Sequence, residues 1–344
     1  PNIALIKYWG KRDELLKLPT VPSLSLTIDN LYTQATIEFS KELDEDNYVM
    51  NGKVVTGGKQ LERISQHLKL IREVANGSCD KGIIARVIGK DNKKCSKDIA
   101  KLRAKVVIEN NFPDALSNSS SNFTALTIAA CKALDMRINN KEISMIARQG
   151  SGTACRSMFG GIVEWTKGSK KDGSDSFASQ IHDNKHWPEL RAIMLILDPK
   201  EKKVKGSQGM KISKETSPFY EQWTKESEKD IKDIKAAIKQ KDFSRFGKIM
   251  ESNCLRMHSI MISSSPSLIY LKPETLVMVE KIKSLRENNL ECYFTIDAGA
   301  NIMLLCQEKD VEKIIESLDG MPFIHDFIIC SQGEDAKLYD EHLF

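Results

Sequence analysis

Apolar side chains alternate through the opening run, PNIALIKYWGKRD (1–13), which predicts a buried strand, yet Lys7 lies on the same side of it as Ile3 and Leu5. Alternation continues in SLSLTIDN and in TQATIEFS (33–40), both read as strands. In NYVMNGKVVTGG (47–58) an Asn-Gly pair predicts a tight turn between two short strands. The period then lengthens, with Leu61, Ile64, Leu68 and Ile71 at helical spacing across 61–75. GIIARVIGK and KVVIEN read as two further strands, followed by a Ser/Asn-rich turn and an apolar helix, FTALTIAACKAL (123–134). EISMIARQGSGTACRSMFGGIVEWTKG (142–168) predicts helix, Gly-Ser turn, short helix and a strand at GIVEW.

KDGSDSFASQIHDNKHWPE reads as a loop, and beyond it the rhythm changes. RAIMLILD (191–198) is a buried strand followed by a polar loop. Long helical patterns come next, in PFYEQWTKESEKDIKDIKAAIKQ, DFSRFGKIMESNCLRMHSIM and ETLVMVEKIKSLREN. The strands CYFTIDAG and IMLLCQ, a helix near VEKIIESL and the strand FIHDFIIC complete the pattern. The change predicts a domain boundary near 185–190, dividing the chain into 1–187 and 188–344. Strands preceding helices without a βαβαβ rhythm predict an α+β fold, and 344 residues suffice for two domains with real cores.

Composition narrows the classes. Apolar residues at 41% and charged residues at 28% are ordinary for a globular enzyme. A charge of +4 from 51 basic and 47 acidic residues, with dispersed lysines, does not point to nucleic acid. The lysine-dense stretches 89–101 and 165–175 read as solvated loops. No apolar run approaches the ~20 residues of a membrane span, and no signal peptide is visible. Eight scattered cysteines form no CxxC pair, so neither a zinc site nor a disulfide framework is expected, and a reducing cytoplasm is.

Four places combine polar groups with turns in apolar surroundings. Lys7, Tyr8 and Lys11 in the opening run suit an anionic ligand, or Lys7 snorkels from an edge strand. The serine-rich turn before 123–134 offers backbone N–H groups and hydroxyls at a helix start, for a phosphate or as a plain cap. RQGSGTACR (148–156) presents Ser151, Thr153 and the planar fork of Arg156, or is an ordinary loop. TIDAGAN (295–301) sets Asp297 at a strand end, as a functional acid or as a turn cap.

Taken together and in this order, NIALIKYWGKRD, the serine-rich turn after NNFP, RQGSGTACRS with FGGIVEW, and FTIDAGAN resemble the mevalonate diphosphate decarboxylases. These belong to the superfamily of galactokinase, homoserine kinase, mevalonate kinase and phosphomevalonate kinase. LPTVPSLSLTID, DGSDSFA, HWPELR, GSQGMKISKETSPFY and RMHS resemble their bacterial branch, so the likeness runs almost the whole chain. It implies a two-domain α+β fold, with an N-terminal domain like ribosomal protein S5 domain 2, a ferredoxin-like C-terminal domain, and the site in the cleft between them. It implies that ATP phosphorylates the 3-hydroxyl of mevalonate 5-diphosphate, after which phosphate and CO2 leave isopentenyl diphosphate. By the same resemblance Asp297 acts on the 3-hydroxyl, Lys7 lies beside it and the transferring phosphate, Arg156 holds the substrate carboxylate, and Asn2 supports Arg156. Tyr8, Lys11, Ser151, Gly152 and Thr153 match substrate or diphosphate contacts, and Lys214 falls where some relatives carry a diphosphate-binding arginine. Mg²⁺ is expected with ATP, held through its phosphates rather than by protein ligands, and a homodimer is expected.

The chain departs from the family at the phosphate loop. The usual pattern, near PTAAGLASSxxGF, falls on PDALSNSSSNF (113–123), which assigns Asn118, Ser119 and Ser120 to ATP. This loop is two residues shorter, about 7 Å of extended chain, and has no glycine. Either nucleotide binding is altered or residues are missing between Ala115 and Leu116; the start at Pro1 favours the second reading. DAGAN in place of DAGPN exchanges proline for Ala300 and is expected to leave Asp297 in place. The rival readings are a decarboxylase of mevalonate 5-phosphate, a kinase that stops at the 3-phosphate, and a nucleotide-poor binding protein. Relatives that only phosphorylate lose parts of the Asp/Lys/Arg set, which is intact here.

Overall fold

A computed structural model describes residues 1–77, 99–113, 119–198 and 206–344. The predicted strand GIIARVIGK and the candidate Asn118 lie outside the described residues. The first half holds strands β1 (Asn2–Ile6), β2 (Ser23–Thr27), β3 (Thr33–Ser40) and β4 (Asn47–Met50), then helix α1 (Gly58–Ala75) and β5 (Arg103–Asn110). Helices α2 (Ser119–Ala133) and α3 (Asn140–Gly150), a 3-10 turn over Gly152–Met158, and strands β6 (Ile162–Trp165) and β7 (Ala178–His182) follow. One antiparallel sheet runs β1–β2–β6–β7. In a second sheet β5 pairs antiparallel with β3 and parallel with β4. The Asn51-Gly52 turn after β4 has positive φ at both residues, 48° and 72°, as a two-residue hairpin turn requires.

Alternation in SLSLT is consistent with one wet face, but β2 is buried on both: Ser23 and Ser25 are fully covered. Its leucines Leu24 and Leu26 join Ile3 and Leu5 against the second half, while the 3-10 turn lies over the serine face and Arg156 donates to Ser23 Oγ. A second cluster, with Leu68, Ile71, Val106, Leu126 and Ile146, packs α1, α2 and α3 on the β3–β5–β4 sheet.

The second half comprises β8 (Leu190–Ile196), α4 (Gly206–Thr216), α5 (Tyr220–Gln240), α6 (Phe243–Ile262), α7 (Pro273–Glu287), β9 (Cys292–Ile296), β10 (Ile302–Gln307), α8 (Val311–Leu318) and β11 (Asp326–Cys330). Its antiparallel sheet runs β9–β10–β8–β11, so the first and third strands lie in the middle, the ferredoxin-like order. Ile193 and Leu195 of β8 face the core under α7 and α8, while Ala192 and Met194 face the core shared with the first half. The architecture is α+β in two parts, as expected.

Several elements differ from the sequence reading. Strand β7 lies inside the predicted loop; it is a polar edge strand whose Ala178 alone is buried, so its pattern carries little signal. Helix α4 occupies part of the predicted polar loop and buries only Gly209 and Ser213, so small-residue packing replaces an apolar stripe. Ser119, Ser120 and Ser121 lie within helix α2 rather than in a turn before it. Strand β11 covers only Asp326–Cys330 of FIHDFIIC. Among the described residues, no helix is long and apolar enough to cross a membrane.

Candidate active site

The candidate residues meet where the two halves join. Lys7 follows β1 on the face turned to the second half, and Asp297 follows β9. Lys7 Nζ lies 2.6 Å from Asp297 Oδ1. The lysine side chain is 2% exposed and the aspartate 67%, so the ammonium is sunk in protein while the carboxylate faces solvent. Lys7 therefore does not snorkel, and Asp297 does more than cap a turn. The Lys7 backbone N–H donates to Asn253 Oδ1 at 2.8 Å, and Asn253 Nδ2 donates to Asp230 at 2.8 Å, so α6 and α5 fix where β1 ends. Thr295 Oγ1 of β9 donates to the Ala4 carbonyl of β1 at 3.1 Å, which ties the two strands that deliver the pair.

Arg156 stands on the 3-10 turn, fully buried. Its Nη2 donates to Asn2 Oδ1 at 3.2 Å and its Nη1 to Ser23 Oγ. Burial pushes the guanidinium pKa below its ordinary value, with Cys155 and the Asp297 carboxylate opposing that shift. Asn2 Nδ2 donates onward to Ser157 Oγ at 2.6 Å and to Ser120 Oγ at 3.1 Å, and the two hydroxyls are 3.0 Å apart. One polar network thus joins Arg156 to the first turn of α2, where Ser119 and Ser120 sit. That turn contains no acidic side chain.

Tyr8 packs on Trp165 with ring centroids 4.8 Å apart, and its hydroxyl is buried without a hydrogen-bond partner among the described residues. Burial pushes its pKa far up, with Glu14 adding to the effect, so it stays a neutral donor. A Cβ on Gly152 would stand 3.0 Å from that hydroxyl and 3.2 Å from Trp165, so only glycine allows this approach without displacement. Ser151 precedes Gly152, joining α3 to the 3-10 turn, and Thr153 follows it within that turn. Lys11 is buried and pairs with Glu14 at 2.7 Å. Exposed Lys214 of α4 donates to the Lys11 carbonyl at 2.6 Å, which brings its charge to the same end of the site.

The structure thus brings Lys7 against Asp297, joins Arg156, Asn2 and Ser120 in a second network, and sets Tyr8 against Gly152 and Lys214 against Lys11. The sequence reading missed Asn253, Ser157 and Ser23, which hold Lys7, Asn2 and Arg156. Ser157 follows Arg156 directly in CRS, the one local signal that could have marked it.

A profile of the diphosphomevalonate decarboxylase-like N-terminal domain matches residues 1–178, and one of the mevalonate 5-diphosphate decarboxylase C-terminal domain matches residues 192–337. The diphosphomevalonate decarboxylase of Aspergillus fumigatus is 34% identical, the match spanning 98% of this chain and 82% of that protein. For the Saccharomyces cerevisiae enzyme the values are 32%, 99% and 83%. Among solved structures, the mevalonate diphosphate decarboxylase from Enterococcus faecalis has a TM-score of 0.84 at 35% identity, covering 97% of this chain and 95% of that one. A structure described as MDDEF in complex with MVAPP, AMPPCP and magnesium reaches 0.86 at 35% identity, covering 98% and 96%.

Proposed function

The chain belongs to the diphosphomevalonate decarboxylase family, and from that premise we propose that the junction around Lys7, Asp297 and Arg156 is its active site. The reaction is the ATP-dependent conversion of mevalonate 5-diphosphate to isopentenyl diphosphate, ADP, phosphate and CO2. The observation that carries the site assignment is the Lys7–Asp297 contact across the two halves. Asp297 accepts the proton of the 3-hydroxyl as that oxygen takes the γ-phosphoryl group. Lys7 aims the carboxylate and brings positive charge to where the transferring phosphoryl group gathers negative charge.

Arg156, steadied by Asn2 and Ser23, holds the substrate carboxylate with its remaining N–H groups. Decarboxylation drives the carboxylate's bonding electrons toward C3 while phosphate departs, so the orientation of that carboxylate governs the step. Tyr8, Lys11, Ser151, Gly152, Thr153 and Lys214 take the diphosphate end. The residues present fit ATP: the Ser119–Ser121 turn of α2 offers the Ser119 and Ser120 hydroxyls and no acid. Mg²⁺ accompanies ATP and is held through its phosphates. When bound, that ion neutralises phosphate charge.

The reading extends to a homodimer in the cytoplasm, with domains 1–187 and 188–344. Family resemblance supports the dimer, and the six cysteines among the described residues, all buried free thiols, suit a reducing compartment. Asp297→Asn tests the site assignment. Its kcat should fall by about 10²–10⁴-fold, the scale of general-base removal, in a chain that still folds but melts lower, because the buried Lys7 ammonium loses the carboxylate that offsets its burial. A kcat near wild type would show that Asp297 has another role.

A further inference from the structure

Two segments assigned above to the diphosphate end meet at a place neither reaches by itself. The ribbon that pairs Lys11–Asp13 with Leu18–Pro19 carries Lys11. Helix α3 ends at Gly150 and runs directly into Ser151, Gly152 and Thr153. Lys17, just before the returning strand of the ribbon, adopts φ 49°, a left-handed backbone that non-glycine residues seldom take. From there its ammonium donates to the carbonyls of Gln149 and of Gly150, the latter at 2.9 Å. The clasp is reciprocal, since Gln149 Nε2 donates to the Leu16 carbonyl at 2.9 Å. Arg63 of α1 adds a second cation to the Gly150 carbonyl at 3.1 Å.

Carbonyls at a helix C-terminus lack intrahelical partners and attract cations, so the contact is stabilising wherever it occurs. Here the capped end is also the first residue of the approach to the substrate loop. We propose that Lys17 is a positioning residue, whose clasp on Gln149 and Gly150 holds the Ser151–Thr153 loop in register with the Lys11 ribbon. The proposal rests on the reading that this loop and Lys11 bind the substrate's diphosphate end.

The surroundings of Lys17 make the clasp sensitive to pH. Burial, with Arg63 and Lys11 adding to it and Glu14 opposing, lowers the ammonium to about 8. From α1, Arg63 and the buried His67 face it; from its own ribbon, Lys11 and Glu14 do; α3 presents its end carbonyls. The charge on the clasp is therefore full at pH 7 and lost as pH rises through about 8.

The test compares wild type, Lys17→Met and Lys17→Arg, measuring KM and kcat for mevalonate 5-diphosphate between pH 6.5 and 9.5. Hydrogen exchange at the Ser151 and Ala154 amides, which bond Ala147 and Ser151 carbonyls, supplies a readout without substrate. Lys17→Met should raise KM about tenfold at pH 7, as loss of a charge-assisted hydrogen bond does, with kcat near wild type and faster exchange at both amides. Wild-type KM should climb through pH 8, and Lys17→Arg should keep the neutral value and abolish the climb. Unchanged KM and exchange in Lys17→Met, or the same alkaline climb in Lys17→Arg, overturns the proposal. If Lys17→Met does not fold, wild type against Lys17→Arg decides. A wild type that does not turn over this substrate contradicts the functional reading, and the exchange rates then still decide the clasp.

Discussion

Lys7 is 1% exposed, and an unpaired ammonium at that depth would cost several kcal/mol. Its contact with Asp297 offsets that cost, and because the carboxylate lies in solvent, the pair can open to a ligand without stranding a second buried charge. His67 and His258 show the reverse arrangement, buried and held neutral. Burial, then Lys17 and Arg63, lowers His67 to about 3. Burial, then Lys7, lowers His258 to about 4. Both titrate near 6.5 in an unfolded chain, so above pH 6.5 neither state takes up their protons. As pH falls from 6.5 toward 4 the unfolded chain binds protons that the folded chain refuses, and stability drops. The urea midpoint should therefore decline over that window, and His258→Gln should flatten part of the decline; an unchanged slope in the variant would contradict this account. Lys7, Arg156 and Asp297 stood out as candidates because each interrupts an apolar or glycine-rich run, and the family resemblance supplied their roles. Asn253 and Ser23 were not, since an asparagine in a helix and a serine in an alternating strand become partners only when β1 meets α6 and the 3-10 turn.

Helix α6 reaches strand β9 through Gly247, where a Cβ would stand 2.0 Å from Tyr293 Cδ2. The approach matters because α6 carries Asn253 and His258, while β9 leads into Asp297. Gly247→Ala should cost about 1–3 kcal/mol, as overpacking does, and should lower kcat by moving Asn253 relative to Asp297. Urea unfolding with steady-state kinetics checks both, and a variant as stable and active as wild type would show that the interface yields freely. The same packing by small residues explains why α4 was missed: Gly209 and Ser213 lie against Trp9, whose Nε1 donates to Ser213 Oγ at 3.0 Å, and no apolar period announces it. Long periodic helices such as α5 and α6 were legible, because their stripes recur over several turns. Helix α2 was legible from Phe123 onward, but its serine turn mimics a loop in composition.

At the scale of the whole molecule, the change of rhythm near 185–190 reads as a boundary, yet a core of described residues crosses it. Ile3, Leu5 and Leu26 pack in one cluster with Ile234, Phe246, Met250 and Tyr293. The C-terminal segment returns across the same junction, where Gly333 N–H donates to the Thr27 carbonyl at 2.8 Å and Gly161 N–H to the Gly333 carbonyl at 2.9 Å. Such cross-chain pairing has no local pattern, so the two parts were legible while their shared core was not. That core holds Lys7 and Asp297 in one site, and the central claim is that the site performs both phosphoryl transfer and decarboxylation. Incubation with mevalonate 5-diphosphate, ATP and Mg²⁺, with ADP and isopentenyl diphosphate quantified together, tests it most directly. The account predicts equal amounts of both products. ADP with a phosphorylated six-carbon acid and no isopentenyl diphosphate, or no turnover at all, would contradict it.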